Sequence, residues 1–134
     1  MKNKVYAGYI NLRPINGVIF PSYSQNQINK NFIEQNLKGK FFLSTNENMY
    51  SKNDIVLNSL IKEKNKLNGV VMLSAFSLPQ EFSRRKEIFK NLLKNKKTLH
   101  FVFEEFKFKE KKDINQIEEY LMFTENFFTK KKSS

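Results

Sequence analysis

Polar side chains that could take part in chemistry stand directly after four apolar runs of this chain. The runs cover 5–12, 41–43, 70–73 and 99–103, and the polar residues that follow them are Arg13, Ser44, Ser74 and Glu104. In an open parallel sheet with helices on both faces, ligands bind outside the carboxyl ends of the strands. The sequence therefore predicts a ligand site at this edge of a sheet, which we call the carboxyl rim.

Two acids, Glu47 and Glu104, are expected at the carboxyl rim and are the candidate catalytic residues. Two carboxylates in different environments can act as a general acid and a general base. Arg13 could hold a carboxylate or phosphate group of a ligand with its forked guanidinium. The alternative is that Arg13 or Arg85 forms structural ion pairs with these acids.

Further polar residues near the rim are candidates for ligand binding. Gln25 and Asn26 lie in the first turn of a predicted helix, where free backbone amides and the positive end of the helix dipole suit an anion. Asn26 could equally be a surface residue. Ser44 and Ser74 could each bind a sugar oxygen or a loop amide. One of Arg84 and Arg85, which open a later helix, could reach back to the rim.

The pattern of apolar residues predicts one α/β domain that would position these side chains. Strand-like runs over 5–12, 40–44, 70–74 and 98–103 alternate with helical patterns that include 24–37, 54–66 and 114–128. Capping boxes are expected at Ser24 with Gln27, at Ser77 with Gln80 and at Asp113 with Gln116. Phe106 and Phe108 either extend the fourth strand or form an edge strand. The domain is expected to cover 1–129, followed by a disordered basic tail over 130–134.

The composition narrows the classes of function. The chain has no cysteine, which excludes a disulfide scaffold, a thiolate nucleophile and a Cys-ligated metal site, and favours a reducing compartment such as the cytoplasm. No Gly-rich phosphate loop, dinucleotide fingerprint or zinc-ligand cluster is present, so we expect neither a cofactor nor a metal. No run approaches about 18 apolar residues, so no membrane insertion is expected.

The formal charge of +11 is the most unusual feature of the composition. Only Arg13, Arg84 and Arg85 are arginines, whereas specific contacts to phosphates and bases favour the arginine fork. Lysine, asparagine, isoleucine and phenylalanine are abundant together, as an A/T-rich genome would produce. We therefore attribute the charge to composition. Weak, sequence-blind binding of nucleic acid that collapses as salt rises is the alternative.

The order and spacing of several short motifs resemble those of the sporadic carbohydrate cluster family. The motifs are Gly8-Tyr9-Ile10, Arg13-Pro14 with Gly17, Pro21, Gln25-Asn26, Leu43-Ser44 with Glu47, Ser74 with Leu78-Pro79, Arg85, and His100-Phe101 with Glu104. The resemblance covers roughly residues 6 to 108. It implies a short bacterial protein of surface-polysaccharide or lipopolysaccharide biosynthesis. It also adds Tyr9 to the predicted ligand-binding residues, but it implies a pathway rather than a reaction.

A more distant likeness is to the catalytic domain of serine recombinases. The Gly-Tyr pair in the first strand and the Leu-Pro pair after the third are similar to that layout. Asn11 and Arg13 stand where that family has an arginine and a nucleophilic serine, so the likeness implies fold alone. It supports a flavodoxin-like or resolvase-like domain of three layers. Its four-stranded, mainly parallel sheet would have the order 2-1-3-4, with helices on both faces and a C-terminal helix.

Two functional hypotheses follow from the residues and the resemblance. The first is a small enzyme without a cofactor, an isomerase, epimerase or lyase, in which Arg13 holds an anionic sugar or nucleotide sugar and Glu47 or Glu104 moves a proton. The second is a non-catalytic protein of the same pathway that senses a sugar or acts as a scaffold. A homodimer with a site shared between subunits is plausible for a domain of this size.

Overall fold

The structure is a computed structural model that describes residues 4–47, 54–62 and 67–133, with side chains as far as residue 124. The strands are β1 (Val5–Ile10), β2 (Lys40–Asn46), β3 (Gly69–Met72), β4 (Thr98–Phe101) and β5 (Phe106–Phe108). The helices are α1 (Ser22–Asn31), α2 (Ile55–Lys62), α3 (Phe82–Lys94) and α4 (Asp113–Ser133). A π-helical turn, Phe32–Asn36, continues α1, and a 3-10 turn, Ala75–Ser77, follows β3.

The strands form one sheet in the order β2-β1-β3-β4-β5. The first four strands are parallel, and β5 runs antiparallel to β4. The predicted α/β class and mostly parallel sheet are confirmed, but the predicted count of four strands is wrong. The chain turns back after β4, where Glu105 has a φ of +52° and its amide bonds the Val102 carbonyl. Phe106 and Phe108 therefore lie on a fifth, edge strand rather than extending β4.

The two faces of the sheet are covered unequally. Residues from α2, α3 and α4 pack on one face and form the main core, which includes Leu57, Phe89 and Ile117. The other face carries a smaller apolar cluster, in which Ile33 of the π-helical turn packs with Tyr6 of β1 and Val71 of β3. Because side chains alternate along a strand, Tyr6 faces the α1 side while its neighbours in sequence face the main core.

Two of the helices do not begin at the residues that the predicted capping boxes indicate. Pro21 is the N-cap of α1 and makes no side-chain bond, so Ser24 lies inside the helix. Ser77 belongs to the 3-10 turn that Ser74 caps, and α3 begins only at Phe82. Helix α2 begins at Ile55, and residues 63–66 of its predicted extent lie outside the described residues. Helix α4 includes residues 130–133 of the predicted tail, and residue 134 lies outside the described residues.

Gly69 allows β1, β3 and β4 to approach closely at the amino ends of the strands. A Cβ at this position would overlap Thr98 Oγ1 and would lie 2.6 Å from the Thr98 carbonyl oxygen. Since backbone must move to make room, we expect Gly69→Ala to lower the free energy of unfolding by about 2 kcal/mol. Urea denaturation measures this loss. Gly17→Ala is the control, because Gly17 has open space around it and only a φ of +83° to strain the new residue; a larger loss there would contradict the packing argument.

Candidate functional site

Two arginines converge on one buried carboxylate at the carboxyl rim. The side chain of Asp54, just before α2, is 3% exposed. Arg84 donates to it twice, from Nε to Oδ2 at 2.8 Å and from Nη2 to Oδ1 at 2.7 Å. Arg13 approaches the same Oδ1 with its Nη2 at 3.6 Å. We call Arg13, Asp54 and Arg84 the arginine cluster.

Local structure brings the members of the cluster together. Asp54 has a φ of +49°, a left-handed conformation that aspartate adopts more readily than most residues. Arg84 lies in the first turn of α3. The Arg13 amide donates to Asn11 Oδ1 at 3.2 Å, and Asn11 Nδ2 donates to the Ser77 carbonyl at 2.7 Å. The loop after β1 is therefore tied to the turn after β3.

The two arginines differ in how much of their hydrogen-bonding capacity is used. Arg84 holds Asp54 in a bidentate pair, whose hydrogen bonds raise the pKa of Arg84, and it also lies 3.6 Å from the exposed Glu81. Arg13 makes no guanidinium hydrogen bond to the described residues, and its side chain is 27% exposed. Among the described cations of the cluster, Arg13 is the one whose donors remain available to a ligand.

Glu47 is a structural acceptor beside the cluster. Its carboxylate is buried and accepts hydrogen bonds from the Tyr9 hydroxyl at 3.0 Å and from the amides of Val56 at 3.2 Å and Leu57 at 3.3 Å. It therefore satisfies amides in the first turn of α2, which have no partner within the helix. Burial first, and then the negative charge of Glu47, raise the pKa of Tyr9, so this phenol stays protonated and donates.

Glu104 has a similar role at the other side of the rim. The Ser74 hydroxyl donates to Glu104 Oε2 at 2.5 Å, the Ala75 amide to Oε1 at 3.1 Å, and the Tyr120 hydroxyl to Oε2 at 3.1 Å. Burial, followed by the charge of Glu104 and this hydrogen bond, raises the pKa of Tyr120 to about 12. Glu104 thus holds the turn after β3 and connects it to α4.

Ser44 and the amides of α1 lie on the opposite face of the sheet from Tyr9. The Ser44 hydroxyl donates to Asn26 Oδ1 at 2.5 Å, and both residues are half-buried. This contact depends on Gly8, because a Cβ there would lie 2.7 Å from Ser44 Oγ. Asn29 donates to the Tyr9 carbonyl at 3.3 Å, while its Oδ1 meets no donor among the described residues. These amides attach α1 to the sheet.

The side chain of Gln25 points into the fold rather than toward a ligand at the helix start. Its Nε2 donates to the Asn11 carbonyl at 2.6 Å and to the Phe20 carbonyl at 2.8 Å, and the residue is 2% exposed. Its backbone amide already bonds the Pro21 carbonyl at 3.0 Å. Gln25 therefore ties the loop after β1 to α1 and offers no free amide at this position.

Arg85 points away from the arginine cluster. Its Nε and Nη2 form a bidentate pair with Glu118 of α4 at 2.7 and 2.6 Å. Its Nη1 donates to the carbonyls of Pro79 at 3.0 Å and Gln80 at 2.6 Å. The structure brings the neighbouring Arg84 to the cluster instead, because successive residues of a helix point in directions about 100° apart.

The predicted site residues thus form separate pairs rather than one group. The structure joins Tyr9 to Glu47, Asn26 to Ser44, and Ser74 to Glu104. Arg13 contacts none of the other predicted residues through a hydrogen bond or ion pair within the described part of the chain. The residues that sequence reasoning missed are Asn11, Asp54 and Tyr120, and the sequence left open which of Arg84 and Arg85 reaches the rim. An acid at the start of a predicted helix was the available signal for Asp54, but its arginine partners are distant in sequence.

We expect Glu47→Ala to lower the free energy of unfolding by about 2 kcal/mol, because two amides of α2 and the Tyr9 hydroxyl would lose their buried acceptor. Tyr9→Phe is the matched control: it removes one donor and leaves the amides satisfied, so its expected cost is about 1 kcal/mol. Chemical denaturation of both variants measures the difference. A Glu47→Ala protein as stable as the parent would contradict this structural role and return Glu47 to the candidate catalytic residues.

No protein-family model matches the chain, and no curated protein matches it. Among the described residues, no group of three or more carboxylate or imidazole side chains is arranged to hold a metal ion. Within the same residues, every helix is too short or too polar to cross a membrane.

Proposed function

We propose that the protein binds a small anionic carbohydrate at the carboxyl rim and that Arg13 contacts the anionic group. The observation that carries this proposal is the state of the arginine cluster. Arg84 already holds Asp54 in a bidentate pair, so the exposed guanidinium of Arg13 keeps its donors for another partner. A guanidinium fork suits the carboxylate of an acidic sugar or the phosphate of an activated sugar.

The contacts of the two rim acids favour binding over catalysis. Glu47 and Glu104 each accept hydrogen bonds from a tyrosine hydroxyl and from at least one backbone amide. A general acid or base must exchange its proton with the substrate, which requires a lone pair that is free to face it. We therefore prefer a sugar-sensing or scaffold protein to an isomerase, epimerase or lyase.

The pathway part of the proposal depends on the motif resemblance. The spacing of Gly8-Tyr9-Ile10, Arg13-Pro14, Gln25-Asn26 and Leu43-Ser44 is similar to that of the sporadic carbohydrate cluster family. This supports a ligand that is an intermediate of bacterial surface-carbohydrate biosynthesis, in the cytoplasm. The anion-binding part of the proposal depends on the arginine cluster, and its test does not require the motif resemblance.

A thermal-shift screen against uronic acids, sialic acid, sugar phosphates and nucleotide sugars tests the proposal. A ligand that binds only the folded state raises the melting temperature by mass action. Loss of a charge-assisted hydrogen bond is expected to weaken binding of a hit to Arg13→Ala by about tenfold or more. Lys90→Ala is the control, because it removes an exposed positive charge on α3 away from the cluster. The affinity of the hit for this variant should stay within about twofold of its affinity for the parent protein.

Three outcomes would overturn the proposal. Equal affinity of every acidic-sugar and sugar-phosphate hit for the parent and for Arg13→Ala would remove Arg13 from the site. Conversion of a bound sugar, followed by NMR and lost in Glu104→Gln or Glu47→Gln while affinity persists, would replace binding by catalysis. A screen without any hit, on a folded protein, would leave the scaffold hypothesis without its sugar ligand and so contradict the proposal as stated.

A further inference from the structure

A cavity lies on the α1 side of the sheet and extends from the amino ends of β1 and β4 along the antiparallel β5. It has a volume of about 590 Å³ and is lined by residues of β1, β4 and β5, by the π-helical turn after α1 and by the loops before β3 and β4. We call it the basic cleft. Its volume lies within the range of small-molecule sites in proteins.

The cleft exists because the elements on the α1 side do not cover the whole sheet face. The π-helical turn packs on β1 and β3 through Ile33, while His100 of β4 lies beside it at the floor of the cleft. The ring of Tyr6 meets the imidazole edge-on, with centroids 5.4 Å apart, and Phe32 lies at 6.4 Å. Phe32 is only partly buried and forms an apolar wall, whereas the Phe106 side chain packs against the main core on the other face of the sheet.

Positive charge surrounds the Phe32 wall. Four lysines, Lys4, Lys96, Lys107 and Lys109, line the cleft with a single acid, Glu105, which leaves a formal charge of +3. None of these lysines takes part in an ion pair among the described residues. The pKa of His100, at the floor of the cleft, is lowered to about 4 by burial first and then by repulsion from Lys107 and Lys4. The charge of these two lysines is therefore felt at the floor of the cleft.

We propose that the basic cleft binds a nucleoside diphosphate, either free or as the activating group of a larger ligand. The partly exposed ring of Phe32 suits a planar base, because a base stacks on an aromatic ring whatever the identity of the base. The charge of a diphosphate, about −3 near neutral pH, offsets that of the four lysines and Glu105. A concave cavity of limited volume favours a small ligand over a polynucleotide. This site is independent of Arg13 and of the proposed function at the carboxyl rim.

The single histidine of the chain provides a direct reporter for this proposal. The imidazole resonances of His100 are followed by NMR while uridine diphosphate, adenosine diphosphate, pyrophosphate, uridine or a uridine diphosphate sugar is added at physiological salt. We expect saturable shifts with both nucleoside diphosphates. Pyrophosphate and uridine should each bind about tenfold more weakly, since each offers only half of the contacts. The sugar ester decides whether the diphosphate is bound free or as an activating group.

Charge variants test the same site. Lys107→Ala and Lys4→Ala each remove one cation of the cleft and should weaken binding of uridine diphosphate by about fivefold. Lys62→Ala is the control, because Lys62 is an exposed residue of α2 on the opposite face of the sheet. This substitution should change the affinity for uridine diphosphate by less than about twofold. Two separate variants are used so that a folding defect in one leaves the other informative. Bound diphosphate should also raise the pKa of His100, which burial and then the charges of Lys107 and Lys4 lower; Lys96, Lys109 and Glu105 are the other charged groups that line the cleft.

Three results would overturn the proposal. The first is the absence of any shift of the His100 resonances with either nucleoside diphosphate at about 1 mM. This would mean a dissociation constant above about 1 mM, which is weaker than that of most physiological ligands. The second is equal binding of pyrophosphate, which would leave only a simple anion site. The third is tighter binding of a single-stranded oligonucleotide than of either nucleotide, with the same sensitivity to Lys107→Ala, which would make the cleft part of a nucleic-acid surface.

Discussion

Replacing Asp54 with alanine is expected to lower the free energy of unfolding by about 3 kcal/mol, the largest loss we predict for a single polar side chain at the rim. The substitution would leave Arg84 and Arg13 facing each other without the carboxylate that both now approach, at 2.7 and 3.6 Å. The expected loss is at the lower end of the range for buried ion pairs because Arg84 is 19% exposed and water can partly solvate it. The measurement is urea unfolding at neutral pH.

Two further variants separate charge from backbone conformation at this position. Asp54→Asn keeps an oxygen acceptor and suits the φ of +49°, so it should lose about half as much stability as the alanine variant. Glu81→Ala is the matched control, because this acid also approaches Arg84 at 3.6 Å but is 68% exposed, and its loss should stay below about 0.5 kcal/mol. Similar losses for Asp54→Ala and Glu81→Ala would show that the arginine cluster does not stabilise the fold.

The same variants bear on ligand binding. Removing the negative charge of Asp54 leaves Arg13 without a counter-ion among the described residues and Arg84 with only the exposed Glu81. An anionic sugar that contacts Arg13 should therefore bind Asp54→Asn at least as tightly as it binds the parent protein, even though the variant is less stable. Weaker binding to Asp54→Asn would mean that Asp54 positions Arg13 for the ligand rather than competing with it.

Acidification is expected to destabilise the protein by about 3 kcal/mol through His100 alone, as the pH falls from 6.5, its ordinary pKa, to about 4, its pKa in the fold. In this window the unfolded chain binds a proton that the folded protein rejects, so the free energy of unfolding decreases as pH falls. The contribution is complete above the ordinary pKa. The causes are burial of the imidazole first and then repulsion by Lys107 and Lys4.

The comparison that isolates this effect is urea unfolding of the parent protein and of His100→Gln at several pH values between neutral and 4.5. The substitution changes stability at every pH. The readout is therefore the free energy of unfolding of the parent minus that of the variant, which should decrease steadily below pH 6.5. Carboxylates that titrate in the same range contribute equally to both proteins. Parallel profiles would contradict the prediction. Lys107→Ala should reduce the dependence of stability on pH, because Lys107 lowers the pKa of His100 more than Lys4 does.

The lining of the basic cleft includes no residue of the arginine cluster, which makes the tests of the two sites separable. Arg13→Ala should affect a ligand of the rim and leave the His100 resonances unchanged. Lys107→Ala should do the reverse. A ligand that is weakened by both variants would contradict the independence of the two sites.

The sequence by itself determined the α/β class and the parallel direction of the first four strands. Those features depend on local patterns, because a strand buried on both faces such as β3 has to be a short apolar run, and helices between such runs impose parallel crossovers. It also placed polar side chains after the strands, and the bond between Ser74 and Glu104 follows from that placement. The fifth strand was left open, since a three-residue edge strand and an extension of β4 share one sequence pattern.

Only the tertiary structure decided what each polar side chain does. Glu47 became a helix cap, and Arg84 rather than Arg85 joined the rim, because their partners are 9 to 38 residues away in sequence and are found only after packing. Gln25 and Asn29, which look like surface amides of α1, are buried because the carbonyls that they meet belong to β1 and its following loop. The basic cleft likewise results from one helix covering part of one sheet face. Hydrogen-bond partners and uncovered faces are properties of the assembled fold, since they depend on which distant elements fill the space around each group.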